Sequence, residues 1–191
     1  EKGIENMKAH VLSVIQQIQD AYEGNGEAGG LMTGFDDIDK MTNGLHGGEM
    51  IVVAARPSMG KTSFVMNIVE NIAIDTENPT PVAVFSLEMS SQSLVQRVLC
   101  SRAKVPMQKL RGGFLAKSDL PKLLDAAGRL AKAPIWIDDT PGITINELQA
   151  KARRLHAEHG IRMIAIDYLQ LLKAPDTAGR DGREKEVAEI S

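Results

Sequence analysis

Hydrophobic positions recur along this chain in two periods, and the switch from one to the other marks out its elements. The first stretch, Ile4 to Tyr22, places Ile4, Met7, Val11, Val14, Ile15 and Ile18 at helical spacing with polar residues between them, which predicts one amphipathic helix. The run EGNGEAGG, from Glu23 to Gly30, favours no regular element, so 24–32 reads as a linker after a helix confined to 1–23. Thr33 stands three residues ahead of Asp36 and opens a turn or two of helix through Ile38 and Met41, which Asn43 and Gly44 close. From Met50 the pattern changes. Ile51-Val52-Val53-Ala54 has the β-branched content of a strand buried on both faces, and Val65, Ile68, Val69 and Ile72 then fall on one side of a helix.

The alternation of strand and helix continues to the end of the apolar pattern. Val82 to Leu87 is a second strand, after which Ser90 or Ser91 caps a helix carrying Leu94, Val95, Val98 and Leu99, a unit ended by Pro106. Ser118 caps a helix through Leu120, Leu123, Leu124, Ala127 and Leu130, and Ile135-Trp136-Ile137 is a third strand. Thr144 and Glu147 form a capping box opening a helix through Leu148, Ala152 and Leu155, stopped by Gly160, and Met163 to Ile166 is a fourth strand. Short apolar strands alternating with helices predict an α/β fold: a mostly parallel sheet, right-handed crossovers, and helices on both faces. In such sheets ligands sit beyond the carboxyl ends of the strands.

What stands at those ends carries the chemistry. Ala55 to Thr62 reads ARPSMGKT, a phosphate-loop pattern with alanine where the first glycine is usual. A polyphosphate is wrapped by backbone N–H groups at a helix N-terminus, where the helix dipole also favours anions, so Ala55, Arg56, Pro57, Ser58, Met59, Gly60, Lys61, Thr62 and Ser63 are the nucleotide-binding candidates. Gly60 lets the main chain come close, Lys61 reaches the β- and γ-phosphates, and the Thr62 hydroxyl is placed to bind Mg²⁺. Asp167 follows Ile164-Ala165-Ile166, the apolar run and acid that complete a Mg²⁺ site together with the loop threonine. Glu88 follows the second strand and is placed to orient or deprotonate a water attacking the γ-phosphate. Asp138 and Asp139, after the third strand, read instead as a helix cap or a solvated loop.

Composition narrows the alternatives. At 191 residues one sizeable core is the expectation. Twenty-two Lys and Arg against 25 Asp and Glu give a net charge of −3, so any nucleic acid must be met by local patches. Aromatic residues, 4% of the chain, are too few for the stacking platforms of many single-strand binders. No membrane-length apolar run and no leader-like opening are present, which predicts an intracellular protein without membrane attachment. The single cysteine, Cys100, reads as core packing, and His10, His46, His156 and His159 as solvated surface. Two basic groups remain: Lys151, Arg153 and Arg154 on the polar side of the helix opened by Thr144, and Arg180 and Arg183 in the loop 174–183 beyond Asp167. Both are candidates for DNA phosphates, the helix group against a reading as a solvated face balanced by Glu147 and Glu158.

Three stretches taken together resemble one family. ARPSMGKTS (Ala55 to Ser63), FSLEMS (Phe85 to Ser90) and IDYLQLL (Ile166 to Leu172) are similar to the RecA-like ATPase domain of DnaB-family replicative helicases, as is TGFDDIDKMTNGL from Thr33 to Leu45. In that family the phosphate loop begins with alanine, as at Ala55. The resemblance implies a RecA-like P-loop NTPase fold over 33–191, ATP or another NTP with Mg²⁺, Lys61 and Thr62 on phosphates and metal, Glu88 as catalytic base and Asp167 as the Walker B acid. It implies a homohexameric ring on single-stranded DNA, with primase and a helicase loader as partners of the longer protein, in a bacterial or phage-like cytoplasm at the nucleoid. The first helix resembles the family's linker helix, which docks on the neighbouring subunit. The resemblance also implies that this is the N-terminal portion of the ATPase domain, the sensor glutamine, the arginine finger and a central strand of the sheet lying further on. Competing readings are a RecA/RadA-type or other RecA-fold ATPase, a small-molecule kinase with Arg111-Gly112-Gly113 as its lid hinge, and a nucleotide-binding assembly module without turnover.

Overall fold

The computed structural model describes residues 6–22, 30–56 and 58–169. The chain divides into two compact units, Glu1–Ile51 and Val52–Ser191.

The first unit contains α1 (Met7–Tyr22) and α2 (Asp36–Thr42). The apolar positions of α1, Met7, Val11, Leu12, Val14, Ile15 and Ile18, are all exposed. Ahead of α2, the buried Thr33 does not pair with Asp36 as its spacing predicts. Its N–H and hydroxyl donate to Asp39 Oδ1 at 2.8 and 2.7 Å, and the Gly34 N–H donates to Asp39 Oδ2 at 3.0 Å. Asp39 faces the entering loop and collects three loop donors at once, whereas Asp36 and Asp37, of the same first turn, stay exposed. Asn43, in the left-handed region at φ 56°, closes α2. The chain then returns antiparallel to its own entry: Leu31 and Leu45 exchange backbone hydrogen bonds of 2.9 Å. A Cβ at Gly30 would stand 2.4 Å from the Leu45 carbonyl oxygen, so only glycine permits this approach.

The second unit is built on a three-stranded parallel sheet of order β2-β1-β3, with β1 Val82–Ser86, β2 Ile135–Asp138 and β3 Met163–Asp167. All five residues of the central strand are buried, as a strand covered on both faces requires. Side chains alternate across the sheet. Ala83 and Phe85 point to α7 (Ile145–His159), where they pack with Ile143, Leu148 and Ile161 and with the partly buried Trp136 and Leu155. Val84 and Ser86 point the other way, meeting Val65 and Met66 of α3 (Lys61–Ala73), Leu94 of α4 (Ser91–Ala103), and Ala165 and Asp167 of β3. Phe85 is fully buried, worth about 1.5–3 kcal/mol for such a side chain.

The helix signals act mostly as their chemistry demands. The Ser90 hydroxyl accepts the Ser93 N–H of α4, and Thr144 and Glu147 form both halves of the capping box of α7. Pro106 does end the preceding unit, but it also opens an unanticipated short helix, α5 (Met107–Gly112). Ser118 stands at the N-cap of α6 (Asp119–Leu130) without capping through its side chain. The local loop donor, the Ala116 N–H, goes to the buried carboxylate of Asp119 at 3.0 Å, which Lys109 also holds at 3.2 Å. Ala103, Val105, Leu123 and Ala126 form the small core of these helices. Cys100 is buried as anticipated, 3.9 Å from Met107 Sδ, and burial pushes its thiol pKa up. His156 and His159 are exposed but engaged, His156 with the Ile161 carbonyl at 2.7 Å and His159 stacked on Trp136 at 4.5 Å.

One element departs from the expected pattern. Ile51–Ala54 forms no strand, and Ile51 and Val52 are 54% and 65% exposed. A strand exists through its ladder. Both edges of β1 are taken by β2 and β3, and among the described residues no segment pairs with 51–54.

One buried charge of this unit, Glu70, is held by Arg102, which donates to it at 2.9 Å and to the exposed Asp75 at 2.7 and 2.9 Å. Burial raises the Glu70 pKa against the opposing pull of Arg102, while the Arg102 hydrogen bonds lower that of Asp75. Arg102→Ala leaves Glu70 buried without its cation and is expected to cost about 3 kcal/mol in urea unfolding at pH 7. As pH falls and Glu70 takes up a proton, the stranded charge disappears. The difference between variant and parent should therefore shrink toward pH 4, and a difference that grows there would contradict this account.

Candidate nucleotide site

Among the described residues the loop between Val52 and α3 is irregular and mostly exposed. Ser58 and Gly60 adopt positive φ, 65° and 84°, and turn the chain sharply into the helix that begins at Lys61. No side chain caps α3 at Gly60, so its leading N–H groups keep their capacity for an anion. A Cβ at Gly60 would meet no atom within 4 Å, which makes the glycine requirement one of backbone conformation alone.

Where this helix starts, β3 ends. The buried Asp167 accepts the Thr62 hydroxyl hydrogen at Oδ2 over 2.5 Å, and its Oδ1 lies 3.3 Å from the Lys61 ammonium. One carboxylate thus holds the first two residues of α3, and it does so because β3 is in register with β1, Asp167 opposite Ser86. Beyond β1 the main chain stays attached to this corner: the Leu87 N–H donates to the Asp167 carbonyl at 2.8 Å, and Ser86 Oγ donates to the Met89 carbonyl at 2.7 Å. Glu88 stands between those attachments, exposed, at the same end of the sheet.

The structure therefore brings Lys61, Thr62 and Asp167 into contact and puts Glu88 on the same rim. Ala55, Arg56, Ser58, Met59 and Ser63 are exposed along the loop and helix start, and Pro57 lies outside the described residues. Sequence reasoning did not single out Tyr168, whose ring centroid lies 4.2 Å from the Lys61 ammonium. Its signal was only its place beside Asp167. Asp138 is tied to Lys151 at 2.5 Å, and Lys151 also donates to Thr140 at 2.8 Å. Burial works against the Asp138 charge, but Lys151 and Thr140 outweigh it and hold its pKa down. Asp139 accepts the Ser91 N–H at 2.6 Å, which lowers its pKa and serves the start of α4 in the manner of a cap. The basic cluster of α7 is thereby split. Lys151 is committed to β2, whereas Arg153 and Arg154 are exposed, and among the described residues neither forms an ion pair. Glu147 is engaged in the capping box and Glu158 lies 3.9 Å from His159. Arg180 and Arg183 lie outside the described residues.

The model of the DnaB-like helicase C-terminal domain matches residues 30–191. The chain belongs to this family. It is 44% identical over 189 residues to the replicative DNA helicase DnaC of Bacillus subtilis strain 168, covering 99% of this chain and 41% of the relative. The replicative DNA helicase DnaB of Geobacillus stearothermophilus matches at the same 44% identity and the same coverage, so the chain spans about two-fifths of the length of these relatives. Among solved structures, one ATPase domain superposes with a TM-score of 0.84 at 29% identity, over 98% of this chain and 65% of that one. A DnaB-like replicative helicase described with its interactions with primase superposes at 0.80 and 28% identity, over 99% of this chain and 44% of that one. The sheet and its flanking helices are thus those of a RecA-like DnaB ATPase domain. Among the described residues no helix is long and apolar enough to cross a membrane.

Gly60→Ala tests the loop without adding a contact. The substitution forces an L-residue to φ 84° and should lower stability by about 1–2 kcal/mol, read by thermal or urea unfolding. No loss would mean that the turn relaxes freely and that its conformation is not what the glycine is for.

Proposed function

We propose that this chain is the nucleotide-hydrolysing part of a replicative DNA helicase: a linker helix in 1–23, a glycine-rich linker at 24–32, and the N-terminal portion of a RecA-like ATPase domain at 33–191. The observation that carries the reading is the shared carboxylate of Asp167, which gathers a cation and a hydroxyl from the start of one helix at the ligand-binding end of the sheet.

The donor set fits a magnesium nucleotide. Thr62 Oγ1 and Asp167 Oδ2 are adjacent hard oxygens, the one or two protein ligands that a strongly hydrated ion accepts. When bound, Mg²⁺ neutralises charge on the β- and γ-phosphates. Residues 58–63 supply main-chain donors, and Lys61 exchanges Asp167 for phosphate oxygens. Glu88 takes the proton of the attacking water, and its exposure on the rim leaves room for that water. The relatives are replicative DNA helicases and one structural neighbour is an ATPase domain, which supports ATP or another NTP as fuel and DNA as track. The structural neighbour described with its interactions with primase supports primase as a partner of the longer protein. The resemblance of the three motifs to the DnaB family carries the rest of the reading: a homohexameric ring on single-stranded DNA in the bacterial cytoplasm, at the nucleoid, served by a loader. The exposed apolar face of α1 supports docking on a neighbouring subunit.

Two substitutions in the full-length parent test the site. Lys61→Ala should abolish NTP hydrolysis and weaken binding of a fluorescent nucleotide, and undiminished hydrolysis would remove Lys61 from the mechanism. Glu88→Gln should retain Mg²⁺-nucleotide binding and lose turnover by roughly two to four decades, and a loss of binding instead would make Glu88 structural. For DNA, Arg153→Ala and Arg154→Ala should each lower the salt slope of single-strand binding by about 0.7. An unchanged slope would move the DNA contact to Arg180 and Arg183.

A further inference from the structure

Glu88 is aimed by its backbone. Among the described residues no hydrogen bond or ion pair fixes its carboxylate, so the direction of the side chain depends on the three attachments of the segment that carries it. Leu87 is bonded through its N–H to the carbonyl of Asp167, and Met89 through its carbonyl to the hydroxyl of Ser86. These two join the segment to β3 and β1. The third comes from the residue just after β2, on the far side of β1: Asp139 Oδ2 accepts the N–H of Ser91, the first residue of α4, over 2.6 Å. We infer that Asp139 is a positioning residue for Glu88, holding the start of α4 so that the connection Met89-Ser90 cannot swing. The inference rests on the reading of Glu88 as the base.

The pin is firm at its root. Asp138, one residue back, is held by Lys151 and by the Thr140 N–H at 2.9 Å, so β2 ends in a bonded corner. It is also firm at its tip, where Ser90 is an extended N-cap residue bonded to Ser93. Asp139 itself is exposed, so its removal leaves no cavity and no stranded polar group in the core. The plain alternative is that Asp139 only complements the dipole of α4, a contribution to stability and not to turnover.

Ser91 offers a clean second probe. It occupies the first helical position, where proline is well accepted, and Ser90 at φ −63° and ψ 147° already has the conformation that precedes proline. Ser91→Pro therefore removes the donor while preserving the helix start. In the full-length ring, Asp139→Ala and Ser91→Pro should each lower kcat roughly tenfold or more, with KM and Mg²⁺-nucleotide affinity within about twofold of the parent. Asp139→Asn, which keeps an acceptor, should recover part of the loss, and the double variant should lose no more than either single one. Unchanged kcat in both single variants beside an inactive Glu88→Gln would overturn the inference alone, as would losses that multiply in the double variant. Normal turnover in Glu88→Gln would overturn the reading of the base, and with it this role for Asp139.

Discussion

The carboxylate of Asp167 is buried at a point where water cannot solvate it fully, and an isolated charge there would be costly. The chain meets that cost with two partners from one helix turn, the Lys61 ammonium and the Thr62 hydroxyl, and this fixes the distance between the last residue of β3 and the first of α3. The arrangement depends on register. Slipping β3 by one residue against β1 would carry Asp167 to the face that holds Phe85, Leu148 and Ile161, where nothing pairs a carboxylate, and would bring Ile166 to the loop. Apolar packing on one face and polar contact on the other thus select the same alignment of strands.

Elements whose partners lie nearby in sequence were legible from the sequence. The capping box of α7, the Ser90 cap of α4 and the closure of α2 by Asn43 all involve residues within a few positions of one another, and their residue types carry the geometry. The burial of β1 was legible for another reason: a continuous apolar run has no polar face to offer water. What escaped depends on distant partners. Nothing in the Asp139 neighbourhood says that its acceptor will meet a donor 48 residues earlier. Thr33 misled because a local spacing was available, yet a different carboxylate collected more donors.

The candidate site divides along the same line. The loop 55–63 could be read directly, since its glycine, lysine and threonine are bound to a fixed spacing by the phosphates they would touch. Asp167 and Glu88 needed the fold class as an intermediate, because only a parallel sheet brings strand ends together. Tyr168 could not be read at all, since an aromatic after a strand is as compatible with core as with a cation. Lys151, grouped by sequence with Arg153 and Arg154, turned out to be held by Asp138 of β2. The helical period sets it apart from Arg153, two places on, but not from Arg154, three places on, so what separates it is the distant carboxylate within its reach.

The sheet also has an open flank among the described residues. Among the described residues β3 is paired on one edge only, Ile164 is 43% exposed, and the β-branched run 51–54 has no ladder of its own. A strand edge and a β-forming run that both lack a ladder among the described residues let two molecules satisfy each other by strand addition, and a net charge of −3 offers little repulsion against it. Handled as a concentrated solution in high salt, such a chain has a ready route to β-rich precipitate that begins at native-like contacts and requires no unfolding.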